Sequence, residues 1–307
     1  MDDFTLRTPV VFMIFNRPEM TKMVFEEIRK ARPSKLLVIA DGPRLDKPGE
    51  VQRCTAVRSI VESIDWDCEV LKDYSEVNLG CGRRVASGLN WVCSIVEEAI
   101  ILEDDCLPHP TFFLFCQESL ERYRHDPRIM TISGNNFQFG KQRTDYSYYF
   151  SRHFHMWGWA TWRRVWQNYD FTMKLWPEVR DEKWLFDIFG SMQADFQDNQ
   201  QPFNILGGTR AAESWHRKFE GTYTGEIDTW DYQFYFQCLV QNGLHVLPHV
   251  NLVSNIGFGP QAIHTKDSNS KFANVPIEAM SFPLNHPNFM IRNAWADEYT
   301  QWFLFYN

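Results

Sequence analysis

The chain has 307 residues, a length that allows one large domain or two modest ones. Hydrophobic residues make up 44% of it and charged residues 23%, as in an ordinary soluble globular protein. The net charge of −8 argues against a general nucleic-acid binder, which needs a basic face, and fits poorly with a polybasic membrane anchor.

The seven cysteines are scattered, with no CxxC pair and no metal-ligand spacing. An odd number without a framework is typical of reduced thiols in a cytosol-like compartment. The sequence begins with an acidic stretch that has no apolar signal segment, and its longest apolar runs are far too short to span a bilayer. We therefore expect a cytoplasmic protein with no transmembrane segment and no nucleic-acid partner.

Short apolar runs alternate with amphipathic stretches in the first 135 residues. The runs predict strands, and the apolar residues between them recur at helical spacing. The predicted strands cover residues 10–15, 36–40, 69–74, 99–102 and 129–132, and the predicted helices cover residues 20–31, 54–64, 85–96 and 113–123. Strands that alternate with helices indicate an α/β protein with a doubly wound, mostly parallel sheet.

Beyond residue 145 the sequence is rich in aromatic residues and its pattern is less regular. We predict helices over residues 178–196, 228–241 and 293–306, and a strand-like segment over residues 244–258. Residues 259–274 are polar and patternless, which is typical of a mobile loop. No linker divides the chain, so residues 1–307 are predicted to form a single domain whose character changes near residue 140.

Sheets of this kind bind ligands beyond the carboxyl ends of their strands. The strand over residues 99–102 is followed there by Glu103, Asp104 and Asp105, called here the acidic triplet. Adjacent carboxylates at the end of a buried strand repel one another, and a hard divalent cation such as Mg²⁺ or Mn²⁺ removes that cost. The alternative is a solvated acidic loop, or a set of caps for the helix that begins near Pro110.

The sequence around the triplet, ILEDDCLPHPTFF, resembles the corresponding segment of GT-A-type glycosyltransferases. It is similar to the inverting N-acetylglucosaminyltransferase that initiates N-glycan branching, and more closely to uncharacterised bacterial sugar-transferase-like proteins. Shorter matches follow the same order at residues 15–18, 40–42, 78–80, 158–159 and 230–231, so the resemblance extends over residues 8–265. It implies a GT-A-like, Rossmann-like fold in which residues 1–140 bind a nucleotide-sugar and residues 141–307 bind the acceptor and supply the catalytic base.

The resemblance also implies roles at the donor side. Carried over by position, the donor-binding residues are Phe15, Asn16, Arg17, Asp41, Glu103 and Asp104. Asp41 would meet the nucleotide base, whereas Glu103 and Asp104 would contact the sugar and the ribose. Asp105 would bind a Mn²⁺ or Mg²⁺ cofactor directly. The expected donor is a nucleotide-diphosphate sugar, with a UDP-sugar favoured, and the expected acceptor is a carbohydrate or a lipid-linked saccharide.

Three further residues have basic side chains that suit a diphosphate or a metal. Arg83 and Arg84 lie where a cation could steady the diphosphate, although a solvated helix start explains the pair equally well. His264, in the polar loop, could supply a further metal or diphosphate contact, but a lone histidine is more often a bystander.

The remaining candidates lie on the acceptor side. Asp231 matches the family's general base, which deprotonates the acceptor hydroxyl, with Glu226 and Asp228 as its nearest substitutes. The alternative is a capping arrangement, in which Asp228 caps the helix predicted over residues 228–241 and Asp231 lies in its first turn. Trp159 and Trp230 match acceptor-side positions. Trp159 could form a sugar-stacking wall with Trp157, Trp162 and Trp166, although tryptophans at the spacing of these four more often belong to the core.

Other classes of protein are weighed against inverting glycosyl transfer. A sugar nucleotidylyltransferase would carry a Gly-rich, basic phosphate loop after the first strand, where this chain has Phe15, Asn16 and Arg17. A phosphohydrolase with an aspartyl nucleophile would have its paired Asp after the first strand, not after Leu102. A non-catalytic nucleotide-sugar or carbohydrate-binding protein derived from such a transferase remains the alternative from a different class.

Overall fold

The computed structural model describes residues 5–189, 208–259 and 267–306. Its strands are β1 (Val10–Ile14), β2 (Lys35–Ala40), β3 (Glu69–Tyr74), β4 (Glu98–Glu103), β5 (Cys106–Pro108), β6 (Ile129–Ser133), β7 (Tyr148–Ser151), β8 (Trp159–Trp162), β9 (Leu244–Pro248) and β10 (Val253–Asn255). Its helices are α1 (Pro18–Ala31), α2 (Glu50–Val61), α3 (Cys81–Ile95), α4 (Thr111–Tyr123), α5 (Arg163–Trp166), α6 (Trp176–Asp181), α7 (Trp184–Phe189), α8 (Gly208–Tyr223), α9 (Asp231–Val240) and α10 (Ala294–Tyr306). The strands and helices predicted before residue 135 are all present, with bounds that differ by a few residues.

Eight strands in the described part of the chain form one sheet in the order β3-β2-β1-β4-β8-β6-β9-β7. Six of them run in the same direction, and β8 and β7 run against their neighbours. This confirms the predicted α/β class with a large, mostly parallel sheet. Strands from before and after residue 140 lie in the same sheet, because β8 inserts between β4 and β6.

The direction in which the sheet is wound reverses at β1. From β1 the chain passes to β2 and β3 on one side, and α3 then returns it to β4 on the other side of β1. Such a reversal leaves a crevice beyond the strand ends, where ligands bind in open α/β sheets. Because Met13 of β1 pairs with Glu103 of β4, the fold places the acidic triplet beside the residues that follow β1.

The burial of each strand explains how clearly its sequence predicts a strand. Every residue of β1 is buried, and β2 and β4 are buried except at their ends, so all three are continuous apolar runs. Strand β3 lies at the edge of the sheet, and its six residues are all partly or fully exposed. Its mixed sequence, EVLKDY, is what an edge position allows.

The later part of the chain differs from two predictions. The single helix predicted over residues 178–196 is wrong where it can be compared, because α6 and α7 lie there as separate short helices. They are separated at Lys183, whose φ of 60° is incompatible with a continuing right-handed helix. The strand-like segment over residues 244–258 is two strands: β9 lies in the large sheet, and β10 pairs antiparallel with β5.

All seven cysteines are free thiols, and four of them are buried. No helix in the described parts of the chain has both the length and the apolar composition needed to cross a lipid bilayer.

Candidate active site

A cleft of about 730 Å³ opens beyond the carboxyl ends of β1, β2 and β4. Small-molecule pockets commonly have volumes of about 300–1,000 Å³, so the cleft can hold a substrate of ordinary size. One part of its wall consists of the loops that follow these three strands. The other part comes from beyond residue 150 and includes residues 153–157, residues 227–231 and side chains of α8. The two halves of the chain therefore meet around one cavity.

The acidic triplet and Arg17 form a polar part of the cleft wall. Nη1 of Arg17 donates a hydrogen bond to Oδ2 of Asp105 at 2.6 Å and lies 3.5 Å from Oδ1 of Asp104. The backbone N–H of Phe15 donates to Oδ2 of Asp104 at 3.1 Å. The loop after β1 thus holds two of the three carboxylates in place.

The carboxylates of the acidic triplet carry more negative charge than Arg17 balances. Burial, together with the charges of Asp105 and Asp104, raises the pKa of Glu103 well above its usual range. Burial and the charge of Asp105 raise the pKa of Asp104 to about 7. Asp231, from the second half, also raises the pKa of Glu103 and so lies within electrostatic reach of the triplet. A further positive charge in the cleft would stabilise the ionised carboxylates.

The acidic side chains of the cleft meet part of what a divalent metal ion needs as ligands. Within residues 5–189, 208–259 and 267–306, no group of three His, Cys, Asp or Glu side chains is arranged to hold a metal by itself. Mg²⁺ is commonly bound by one or two carboxylates together with substrate phosphates and water. Asp105 fits that pattern, because its carboxylate lines the cleft in an excess of negative charge. An ion bound here would take its other ligands from a bound phosphate group and from solvent.

Asp105 is also held by the second half of the chain. Strand β10 pairs with β5, and the backbone N–H of Ile256 donates to the carbonyl oxygen of Asp105 at 2.8 Å. A Cβ atom on Gly257 would lie 2.1 Å from Oδ2 of Asp105, a distance that no side chain can adopt. Only glycine therefore allows the segment after β10 to pass this close to the carboxylate.

Asp41 lines the cleft and at the same time holds the loop that leads into α3. Its carboxylate accepts hydrogen bonds from the N–H groups of Gly42 and Leu79 at 2.9 Å each and from that of Gly80 at 3.1 Å. The side-chain amide of Asn78 donates to it at 3.0 Å. Burial raises the pKa of Asp41, although these donors act in the opposite direction. The carboxylate is thus engaged within the fold at the place where the family resemblance puts the nucleotide base.

Glu50 organises two groups near the cleft, although nothing in the sequence pattern marks it. Its side chain is fully buried and accepts hydrogen bonds from Nη2 of Arg44 at 2.6 Å and from Nδ2 of Asn16 at 2.8 Å. Arg44 lines the cleft, and its guanidinium carbon lies 5.5 Å from the centroid of the Phe15 ring. Glu50 therefore positions both Asn16 and the cation that faces Phe15.

This arrangement predicts a dependence of stability on pH. The hydrogen bonds from Arg44, which outweigh burial, lower the pKa of Glu50 from 4.5 to about 2. A lowered pKa stabilises the fold above pH 4.5, and that contribution disappears as the pH falls towards 2. We expect Glu50→Gln to destabilise the protein at pH 6 by on the order of 2 kcal/mol, because Arg44 is 36% exposed and water weakens the pair.

Urea unfolding of the wild type and Glu50→Gln at pH 6 and pH 2.5 measures this effect. The difference in unfolding free energy between the two proteins should shrink at the lower pH. Glu62→Gln is the matched control, since Glu62 forms an exposed pair with Lys72 and should change stability little. A Glu50→Gln difference that stays constant with pH would contradict the assignment.

Asp228 caps helix α3 from a distant part of the sequence. Its Oδ2 accepts the N–H of Cys81 at 3.1 Å, and its Oδ1 accepts the N–H of Gly82 at 3.0 Å. A Cβ atom on Gly80 or Gly82 would lie 2.6 or 2.7 Å from that carboxylate, so the two glycines make the approach possible. The alternative in which Asp228 caps its own helix is therefore wrong, because α9 begins at Asp231 without a side-chain cap, although Asp231 does lie in its first turn.

Asp231 lies at the start of α9 and lines the same cleft as the triplet. The hydroxyl of Thr229 donates a hydrogen bond to its Oδ1.

Lys218 of α8 also lines the cleft, and burial lowers its pKa to about 8 while the charge of Asp231 opposes that shift. Nζ of Lys218 lies 4.4 Å from the ring centroid of Trp215. The sequence did not reveal Lys218 or Trp215, because helix α8 was not predicted. Glu226 is exposed and lies outside the cleft lining.

The two acceptor-side tryptophans stack on each other with ring centroids 5.4 Å apart. Trp159 is fully buried, so its ring packs against Trp230 and is not accessible to a ligand. Trp230 is only 2% exposed but lines the cleft. Trp157, which is partly buried, lines it as well and contacts Phe258 edge-on.

The predicted basic residues lie in different environments. Arg84 is buried and donates to the carbonyl oxygens of Ala40 and Asp73, which ties α3 to β2 and β3, although it also lines the cleft. Arg83 is exposed, lies outside the cleft lining and stacks over Phe171 at 5.7 Å. His264 lies outside the described residues.

No family model and no curated protein matches the chain. Among solved structures, UDP-glucose pyrophosphorylase complexed with UDP-glucose matches at 9% identity and a TM-score of 0.31, over 53% of this chain and 78% of that one. Residues 1–349 of TarS from S. aureus match at 10% identity and a TM-score of 0.37, over 54% of this chain and 49% of that one. A cytidylyltransferase from Leptospira borgpetersenii serovar Hardjo-bovis matches at 10% identity and a TM-score of 0.34, over 58% and 69%. These identities and TM-scores are too low to show a shared function.

Proposed function

We propose that the protein is a metal-dependent glycosyltransferase. It moves a sugar from a nucleotide-diphosphate donor, with a UDP-sugar favoured, to a hydroxyl group of a carbohydrate or a lipid-linked saccharide, and it inverts the anomeric centre. The observation that carries this proposal is the convergence of the acidic triplet, at the switch point of the sheet, with Asp231 in a single cleft. The family resemblance of the triplet segment supports it, and inversion rests on that resemblance alone.

The donor side of the cleft has the chemistry that a nucleotide-sugar needs. Phe15 and Arg44 offer an aromatic face and a cation near the loop after β2, where a base and a phosphate can be held. Glu103 and Asp104 can accept hydrogen bonds from sugar and ribose hydroxyl groups. Asp105 would hold Mn²⁺ or Mg²⁺, which stabilises the charge on a departing nucleoside diphosphate.

The acceptor side has a base and an aromatic surface. Asp231 lies at a helix start, which orients its carboxylate, and Thr229 fixes one of its oxygens. From there it can remove the proton of an acceptor hydroxyl as that oxygen attacks the anomeric carbon. Trp157, Trp215 and Tyr232 also line the cleft and can pack against the apolar face of a sugar ring.

The release of nucleoside diphosphate tests the proposal directly. We expect the protein to release UDP or another nucleoside diphosphate from its nucleotide-sugar in the presence of Mn²⁺, faster with an acceptor and not at all with a chelator. NMR of the product should show the inverted anomer. Donor binding without any release would identify a non-catalytic binding protein. Pyrophosphate formation from a nucleoside triphosphate and a sugar phosphate would identify a nucleotidylyltransferase, and either result would overturn the proposal.

A further inference from the structure

The outer face of helix α10 exposes aromatic residues to solvent. Trp295 is 74% exposed and Trp302 is 37% exposed, and their seven-residue spacing places them on the same side of the helix. Tyr299 lies between them, and its ring stacks on that of Trp302 with centroids 6.3 Å apart. Ile291, which lies three residues before the helix begins, is 69% exposed. We call these four residues the α10 face.

Cations from two separate loops surround this face. Nζ of Lys141 lies 4.5 Å from the ring centroid of Tyr299, and the guanidinium carbon of Arg143 lies 4.6 Å from it. Nζ of Lys271 lies 4.3 Å from the ring centroid of Phe303. None of these three cations forms a salt bridge within the described residues, and both lysines are exposed. Glu298 is partly exposed on the same side of α10, so these residues combine exposed aromatic rings with three cations and one carboxylate, which leaves a positive balance.

That combination suits the boundary between water and a lipid bilayer. Tryptophan and tyrosine side chains favour the headgroup region, where the ring is partly apolar and its N–H or O–H stays hydrated. Basic side chains at the same depth attract anionic headgroups. The net charge of −8 speaks against a polybasic tail, but these cations lie far apart in the sequence and meet only in the folded chain. Since salt screens charges beyond about 10 Å, this local group decides the attraction.

The α10 face borders the cleft. Phe272, the neighbour of Lys271, lines the cleft, and so does Leu304, which lies on the side of α10 away from Trp295. The ring of Phe139 lies between α10 and Phe272. Its centroid is 4.7 Å from that of Phe303 on α10 and 5.8 Å from that of Phe272. Because the ring centroid of Phe303 also lies 4.7 Å from that of Tyr299, the Tyr299 part of the α10 face lies near this wall of the cleft.

We propose that the α10 face docks on the surface of an anionic phospholipid bilayer. The charges favour a lipid surface over a second copy of the chain, because a two-fold dimer through this face would bring the cations of both copies together. The proposal goes beyond the proposed transfer activity and does not depend on it, since vesicle binding requires neither donor nor turnover.

Co-sedimentation with vesicles tests this proposal. We expect the wild type to bind vesicles that contain phosphatidylglycerol, to bind neutral phosphatidylcholine vesicles much less, and to be released by salt. Ile291→Ser/Trp295→Ser should lower the partition coefficient by about tenfold or more, because it removes two exposed apolar side chains. Lys141→Gln/Lys271→Gln should lower it to a similar extent and weaken the dependence on salt.

Trp184→Ser is the matched control, since Trp184 is 41% exposed on α7, and it should bind vesicles like the wild type. Circular dichroism and gel filtration of each variant check folding and oligomeric state. Wild-type protein that stays in the supernatant with anionic vesicles would overturn the proposal. So would an equal loss of binding in Trp184→Ser, or a dimer that Ile291→Ser/Trp295→Ser dissociates without any vesicle binding in the wild type.

Discussion

In Asp231→Asn, we expect sugar transfer to fall by about a hundred- to ten-thousandfold while folding and donor binding stay close to those of the wild type. A general base acts on the acceptor proton in the transition state, so its loss lowers turnover and does not weaken the ground-state complex with the donor. Asparagine keeps the size of the side chain, can still accept the hydrogen bond from Thr229 and is tolerated at a helix start. It cannot accept a proton at neutral pH.

Three measurements separate this role from a structural one. Single-turnover transfer gives the chemical step, calorimetry with the nucleotide-sugar gives donor affinity, and urea unfolding gives stability. Glu226→Gln is the matched control, because Glu226 is exposed five residues before Asp231 and does not line the cleft. Transfer by Asp231→Asn within a few-fold of the wild type would reject the assignment, and Asp228 would then be the next base to test.

The second large effect concerns Asp105, where the sign of the change is decisive. If Asp105 binds a divalent ion, Asp105→Ala should weaken nucleoside-diphosphate binding by about a hundredfold with Mn²⁺ present, as chelation should in the wild type. Without such an ion, the opposite result is expected. Removing one carboxylate from an excess of negative charge, beside Arg17, would then strengthen the binding of a polyanion.

Calorimetry with UDP and Mn²⁺ distinguishes the two outcomes. Chelator should abolish most of the wild-type affinity and change that of Asp105→Ala little, because the variant has already lost the ion. Asp126→Ala is a suitable control, since Asp126 pairs with Arg128 away from the cleft. Affinity that is unchanged or higher in Asp105→Ala would remove the metal role from the proposal.

The central strands could be predicted from sequence because of their burial. In β1, β2 and β4 both faces of the strand are covered, so the sequence is a continuous apolar run that ends at polar residues. The carboxyl end of a parallel strand is the place for a ligand, and this rule located Arg17, Asp41 and the acidic triplet. All of these residues line the cleft, whereas Asn16, which the same rule selected, lies outside the lining and donates to Glu50.

Other features depend on contacts between residues that are far apart in sequence. The burial of Trp159 follows from stacking on Trp230, 71 positions later, so no local pattern separates a core tryptophan from one that faces a ligand. Asp228 accepts hydrogen bonds from the start of α3. The glycines there do not indicate, in the sequence alone, which carboxylate approaches them. Helix α8, which supplies Lys218, contains several polar positions and was not recognised.

The joint between β5 and β10 has a consequence for engineering this protein. Because Ile256 and Gly257 pack against Asp105, and Asp228 caps α3, residues from beyond position 140 hold the part of the cleft that the first half of the chain builds. An exchange of everything after residue 140 for the equivalent part of a relative would also replace these supports. We expect a chimera that keeps Asp228 and residues 253–257, while exchanging the loops around them, to preserve the cleft wall at Asp105 and α3. The contacts between residues in space, and not a single position in the sequence, therefore decide where the sequences of such a chimera should be joined.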